Sequence, residues 1–542
     1  MFFVLDLLLL GVALILLIYY VFLLPPKHPA NIPAIPFWVA LIPFFKDVDQ
    51  SDIFRKYIER PLREHGAVKL FFGAQWNILV HKPSYLAEMF KDEDLYQKSG
   101  NQKKIPHSVL AEFLGDNIIS AYGDTWRNYQ SVVKPGLQRN FDADKIASNA
   151  RRLVKLLGDA QQRAGQRGVP VQELLQRYSV ANCSEVVLQV KLDALESPNA
   201  PINVLQSAVK REIFKPIFMN FPVLDRLPFP SRARARQLVA KFKRELKQAL
   251  MESKHKHDAD GLGARMLEAN DSGFWSEKQL SDNLTVAFVA GQENPQLCMI
   301  STLYLLGRHP EVQEALYQEI RNRGLDDARP DPEILQGMPF LTSVIYESLR
   351  LFPPIGQLVN RRASEDALLG GDIFIPKGTY LGYNCYSTNR DPGVWGPDAD
   401  KFEPRRWGTS AVAIQKQYRA RRARAEFITF HGGRRACLGE KFAILQMRIT
   451  LVTLIQEFTW RLDPTWVDRK TPSLKPSYPV WTSPTQQTLA TASITTFLSH
   501  VNIWDASKII RIALLLQILV RSQFWLGHCS NGQPTRSDDT EA

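Results

Sequence analysis

Cysteine is scarce in this sequence. Cys183, Cys298, Cys385, Cys437 and Cys529 are odd in number, far apart and form no C-x-x-C pair. That argues against a disulfide framework and against a structural zinc site. Neither a G-x-G-x-x-G fingerprint nor a Walker loop occurs, so nothing marks a nucleotide-binding unit. No internal repeat is found and no low-complexity linker divides residues 50–480, so one large domain is expected rather than an array. Charged residues are 23% and hydrophobic residues 45%, which excludes a wholly disordered, collagen-like or multi-span membrane chain. Acid is in deficit: 67 Lys+Arg against 55 Asp+Glu leave +12. That surplus favours an acidic partner, an anionic membrane surface or nucleic acid without choosing among them.

What the sequence has is an apolar start. From Leu7 to Leu24 every residue is apolar, Gly or Tyr, and only Asp6 interrupts the run back to Met1. Eighteen helical residues span about 27 Å, close to a hydrocarbon core. The run ends in bulky Tyr19–Leu24 and then Pro25-Pro26 rather than in small residues, which favours an uncleaved anchor over a signal peptide. Residues 1–24 are therefore expected to be one transmembrane helix, and Lys27 and His28 favour a cytosolic body. Residues 25–50, with Pro25, Pro26, Pro29, Pro33 and Pro36, read as a stiff linker.

Helical periodicity dominates the body, over Asp142–Arg163, Ser231–Ser253, Leu280–Gly307, Pro310–Arg323, Pro332–Phe352 and Glu440–Glu457. Strand-like runs are few: Val68–Phe72, Asn77–Val80, and Ile373–Ile375 followed by Thr379–Tyr383 across a Pro376-Lys377-Gly378 turn. The expected fold class is mainly α with a small β part.

The chemistry lies in Phe430-His431-Gly432-Gly433-Arg434-Arg435-Ala436-Cys437-Leu438-Gly439. Gly433 and Gly439 permit a tight turn and close approaches that a Cβ would block. The helix that follows puts Cys437 near a helix N-terminus, whose amides favour a thiolate. The stretch resembles the haem-binding signature F-x-x-G-x-R-x-C-x-G of the cytochrome P-450 monooxygenases, matching all five fixed positions. The resemblance implies the cytochrome P-450 fold over residues 51–484, haem b with Cys437 as iron ligand, Arg435 on a haem propionate and Phe430 beside the sulfur.

Further stretches carry the same resemblance. Glu347-Ser348-Leu349-Arg350 places Glu347 and Arg350 on one helical face. Phe402-Glu403-Pro404-Arg405-Arg406-Trp407 resembles the family's later segment, with Arg406 completing a buried Glu–Arg–Arg triad. Asn389-Arg390-Asp391-Pro392 and Trp395-Gly396-Pro397-Asp398-Ala399 continue the family's wording. Arg361, five residues before Asp366, stands where relatives carry a propionate-binding arginine, with Arg362 the runner-up. Two stretches depart. Ala290-Gly291-Gln292-Glu293-Asn294-Pro295 is similar to the oxygen-side motif A-G-x-[DE]-T, with Glu293 as proton source and Asn294 in place of Thr. Pro295 removes the helical partner of the Gly291 carbonyl, which predicts a kink. Trp126-Arg127-Asn128-Tyr129-Gln130 resembles W-x-x-x-R, so Trp126 fits, Gln130 is neutral, and Arg127 is the candidate compensation.

Lys416, Arg419, Arg421, Arg422 and Arg424 precede the cysteine loop. With Tyr418 as their only aromatic they make no base-stacking surface, so no nucleic-acid partner is expected. A basic face there would steer an acidic electron donor. By resemblance the donor is an NADPH-dependent flavoprotein reductase, the location the endoplasmic reticulum membrane, and the substrate a lipophilic small molecule of fungal secondary or specialised metabolism. Its pocket would come from Lys98–Ser120, Pro201–Asn220, Leu284–Gly291 and Pro354–Val359. Two alternatives remain open: a haem-thiolate isomerase or dehydratase needing neither oxygen nor reductase, motivated by Asn294, and a non-catalytic membrane haem protein. Residues 485–542 are an atypical tail. Lys508–Val520 reads as an amphipathic helix rather than a second span, and Ser530–Ala542 as disordered.

Overall fold

The computed structural model describes residues 2–42, 50–73, 75–165, 168–254, 258–325, 331–462 and 479–482. The tail, residues 485–542 with Cys529, lies outside the described residues. Two compact units are found, one containing Met1–Leu24 and the other Pro25–Ser493.

In the first unit, helix α1 (Phe2–Ile18) has 17 residues and runs on into a π-helical turn, Tyr19–Leu23. Among the described residues, no helix is long and apolar enough to cross a membrane.

The second unit begins at the prolines of the expected stiff linker, part of which packs on the body. Ile32, Ile35 and Val39 are buried. Lys69 Nζ donates to the carbonyls of Pro26 (3.0 Å) and Pro29 (2.9 Å), and Ala34 bridges Lys69 in parallel. Prolines leave their carbonyls free to accept, and a lysine supplies the donor.

The first strands, β1 (Ala67–Phe72) and β2 (Gln75–Val80), form a hairpin, and α2 (Pro83–Lys91) follows. With β3 (Tyr96–Lys98), β4 (Gln357–Ala363) and β7 (Tyr380–Asn384) they make a five-stranded sheet of order β1-β2-β7-β4-β3. Only β2 and β7 pair in parallel. Strands β5 (Ala367–Leu369) and β6 (Ile373–Ile375) form a separate pair, as do β8 (Thr459–Leu462) and β9 (Pro479–Thr482). The Pro376–Gly378 turn thus joins strands of different sheets. Every residue of β7 is buried, so β7 sits inside the larger sheet rather than in a hairpin.

Helices make the rest. In chain order they include α3 (Val109–Leu114), α4 (Gly123–Gln138), α5 (Ala143–Ala164), α6 (Gln172–Asn182), α7 (Pro201–Ile213), α8 (Pro230–Glu252), α9 (Glu277–Arg308), α10 (Pro310–Asn322), α11 (Pro339–Leu351), α12 (Ala411–Ala423) and α13 (Glu440–Glu457). Asp142 caps α5 through the Lys145 amide, and Ser276 with Gln279 forms a capping box on α9. The expected Pro332–Phe352 helix is two pieces, because Pro339 opens α11 afresh after Gly337-Met338. Helix α9 is continuous through Pro295 and buried on most of its surface, as a central helix must be. Gly291 lets it approach the end of α6: a Cβ there would lie 2.7 Å from the Cys183 sulfur.

Candidate active site

The cysteine loop closes on itself. The Cys437 amide donates to the Phe430 carbonyl (2.9 Å), the Ala436 amide to Gly433 (3.3 Å), and Gly433–Arg435 makes one 3-10 turn. Gly433 has φ +65°, and a Cβ on it would meet the Phe90 carbonyl at 2.6 Å. No other residue fits both demands. Gly439 is different: its φ is −87°, open to any residue, and a Cβ would sit 3.9 Å from the Cys437 sulfur. It keeps the space beside the sulfur clear. Phe430 is buried behind the loop.

Cys183, Cys298 and Cys385 are buried, and burial pushes each thiol up to about 12. Cys437 reaches solvent, although protein surrounds it. Desolvation raises the Cys437 thiol, and the Gly439 and Glu440 amides at the start of α13 pull it down, the direction expected of a helix start. In the protein alone the thiol form is favoured, and a metal cation facing the sulfur reverses that balance.

The Glu–Arg–Arg triad is present and buried. Glu347 and Arg350 are fully inaccessible, joined by two 2.8 Å hydrogen bonds, and Arg406 Nε adds a third at 2.8 Å. The Trp407 indole and the Glu403 amide also donate to Glu347. Arg350 in turn donates to the carbonyls of Asn389 (3.0 Å) and Ala399 (2.6 Å). Asn389 carries the brace to the loop: its amide donates to Thr429 Oγ1 (2.8 Å) and its oxygen accepts from the Ile428 amide (3.0 Å). Asn389 was legible only as part of a family phrase, since nothing about a lone asparagine signals such a post.

A second cluster is cationic. Arg361 is buried, donates to the Tyr96 carbonyl (2.7 Å), and has Nε without a partner. Arg435 donates through one nitrogen to the carbonyls of Ile118, Ile119 and Ala121, with its guanidinium 4.6 Å from the Trp126 ring. Lys98, unremarked as a site residue from sequence, lies buried opposite Arg361 across β3–β4. Among the described residues none of the three has an ion-pair partner. Glu93 is the acid that acts on them, at a distance. Desolvation holds Arg361 and Arg435 down at about 10. Arg362 bonds the Gly378 carbonyl at the surface, so of the two candidates Arg361 joins the cluster. Arg127 does not compensate for Gln130: it is exposed and paired with Asp124.

A haem fits this donor set. Buried cations without counter-ions match its two propionates, and the accessible sulfur with cleared space beside it matches its iron.

On α9, Glu293 pairs with Lys210 of α7 at 2.6 Å, both about a quarter exposed. Asn294 turns its amide back to the Ala290 carbonyl (3.4 Å). Among the described residues no hydrogen bond joins either to the cysteine loop. Lys210 escaped the sequence reading because its partner lies more than 80 positions away. Two acids offset part of the basic run: Arg421 and Arg424 share Glu426, and Arg422 pairs with Glu440.

The chain was compared with known proteins. The family model "Cytochrome P450" matches residues 32–487. Cytochrome P450-DIT2 of Saccharomyces cerevisiae is 41% identical over 460 residues, 84% of this chain and 92% of that protein. Cytochrome P450 monooxygenase xanG of Aspergillus fumigatus is 37% identical, over 82% of this chain and 85% of that protein. The crystal structure of the cytochrome P450DA haem domain superimposes with TM-score 0.66 at 19% identity, covering 86% of this chain and 97% of that one, a likeness of fold alone. With the signature loop, the buried triad and a family match over most of its length, this chain belongs to the cytochrome P450 family of haem-thiolate monooxygenases.

Proposed function

We propose that the chain is a membrane-anchored monooxygenase that holds haem b through Cys437 and inserts one atom of molecular oxygen into a lipophilic substrate. The observation that carries this is the closed cysteine loop around Cys437, together with the buried Arg361 and Lys98, which have no ion-pair partner among the described residues. Thiolate-ligated haem supplies oxygen activation, the thiolate pushing electron density toward O–O cleavage. The protein's own part is to keep the sulfur in place through the Phe430 carbonyl and the Asn389 brace, and to balance the cofactor's carboxylates with Arg361 and Arg435.

Glu293 is the proton source for oxygen chemistry in this reading. Lys210 holds its carboxylate where it is about a quarter exposed, within reach of water. Glu293→Gln is expected to slow oxygen-dependent turnover by about a hundredfold, the lower end of what a positioned acid contributes, with haem content unchanged. Full coupled turnover in that variant would remove Glu293 from the relay. Asn294 donates its amide there in place of the usual hydroxyl.

Electrons come from an NADPH-dependent flavoprotein reductase on the same endoplasmic reticulum membrane, reached by the apolar run Leu7–Leu24 with the body on the cytosolic side. The sequence supports this, since Leu7–Leu24 is an unbroken run of apolar residues, Gly and Tyr. Lys416, Arg419 and Arg434 are the cations left over once Arg421, Arg422 and Arg424 are paired, so the docking field is modest. Raising salt is expected to slow reduction by the reductase, because exposed charges are screened beyond about 8 Å at physiological ionic strength. A salt-independent rate, read by stopped-flow, would remove this face as the docking site. The resemblance to fungal members supports a role in fungal specialised metabolism. Substrate-dependent consumption of NADPH and oxygen by the reconstituted pair tests the whole reading. Product formation without either would favour the isomerase alternative.

A further inference from the structure

We propose that Arg422 and Tyr418, side chains of α12, tune the reduction potential of the haem iron by cancelling the charge of Glu440, three residues past Cys437. The inference rests on Cys437 as the iron ligand. Glu440 is the first residue of α13. An acid there complements the amide end of the helix. The same position sets its carboxylate against a second anion, because the Glu440 amide hydrogen-bonds the Cys437 sulfur. Once the sulfur is a thiolate the two negative charges repel, and an iron that gains an electron feels the excess.

Helix α12 meets that charge with two donors. Tyr418 and Arg422 are four residues apart and share one helical face. Arg422 Nη1 donates to Glu440 Oε2 at 2.7 Å and to the Tyr418 hydroxyl at 3.2 Å, while that hydroxyl donates to Glu440 Oε1. Each carboxylate oxygen therefore has its own donor. The phenol is held in place: it is buried, stacked on Tyr346 at 4.5 Å and 16°, and set edge-on to Phe427 at 5.7 Å. Phe427 comes three residues before Phe430, whose carbonyl holds the Cys437 amide, so phenol and sulfur are carried on one packed block. Arg421 and Arg424 of the same run both take Glu426 instead. Glu440 and Arg422 act on the sulfur with opposite sign, the carboxylate ahead of the guanidinium. Both are about a quarter exposed, so solvent weakens their effect without abolishing it.

The test is the midpoint potential of the purified full-length holoenzyme, read by dye-coupled dithionite titration without reductase, so that docking on α12 contributes nothing. Removing the cation in Arg422→Gln is expected to lower the equilibrium constant for one-electron reduction about threefold to tenfold, a negative shift of about 30–60 mV. Glu440→Gln should move the potential by a similar amount the other way, and the double variant should return close to wild type. Tyr418→Phe keeps the stack, removes the hydroxyl and should shift negative by less. The thiolate band under carbon monoxide should persist in all four, since none alters the sulfur. Disrupted packing would move both single variants in one direction. That result, or an Arg422→Gln potential equal to wild type, would overturn the proposal while the ligand assignment stands. Wild-type protein without the thiolate band would overturn both.

Discussion

Replacing Glu347 with Gln should destabilise the folded protein by about 3–5 kcal/mol, the cost of leaving a buried charge without its partner. The size follows from the surroundings. Arg350 is fully inaccessible, and desolvation already pulls its guanidinium down, with the Glu347 carboxylate the main opposing influence. Gln keeps the shape, but its single carbonyl oxygen serves only two or three of the five donors that the carboxylate accepts, Arg350 twice, Arg406, Trp407 and the Glu403 amide, and its NH2 group faces the others. The damage should travel. Arg350 holds the Asn389 carbonyl, and Asn389 holds Ile428 and Thr429 just before the cysteine loop, so bound haem should fall along with the urea midpoint. A loss under about 1 kcal/mol, the range of exposed ion pairs, would contradict a bracing role.

Cys437→Ser is expected to bring turnover to background and remove the thiolate signature while leaving the fold intact. A hydroxyl in the same place is a far weaker acid and does not deliver the soft, electron-rich donor that O–O cleavage needs. The backbone bonds that shape the loop, Cys437 amide to Phe430 carbonyl among them, do not involve the sulfur, so circular dichroism should be unchanged. Cys183→Ala, Cys298→Ala and Cys385→Ala should each keep the signature, because these thiols are buried at about 12. Loss of the signature in one of those three, with Cys437→Ser retaining it, would reassign the ligand.

Local patterns were legible in the sequence where local physics decides. The Asp142 cap, the long α9 and the span of α13 follow from periodicity and end residues. The five fixed positions of the cysteine loop carried the cofactor with them. Long-range matters were not legible. The proline segment looked like a spacer because its partner, Lys69, donates from β1, some 40 positions on. The pairing of the two runs across the Pro376–Gly378 turn was not legible, because nothing local says that β6 pairs backward with β5 and β7 with β2 and β4. The basic run looked like a docking face although Glu426 stands two residues past Arg424, and Glu440, which pairs with Arg422, is brought near only by the fold. Lys98 stood only at one end of a segment expected to line the pocket, and the register against Arg361 places it buried in the sheet.

The direct measurement is the absorption spectrum of the purified, dithionite-reduced protein under carbon monoxide. A strongly red-shifted Soret band, the mark of a sulfur anion opposite the gas, is the expected result. A protein that binds no porphyrin, or binds it with a histidine-type spectrum, would contradict the assignment of position 437 as the iron ligand.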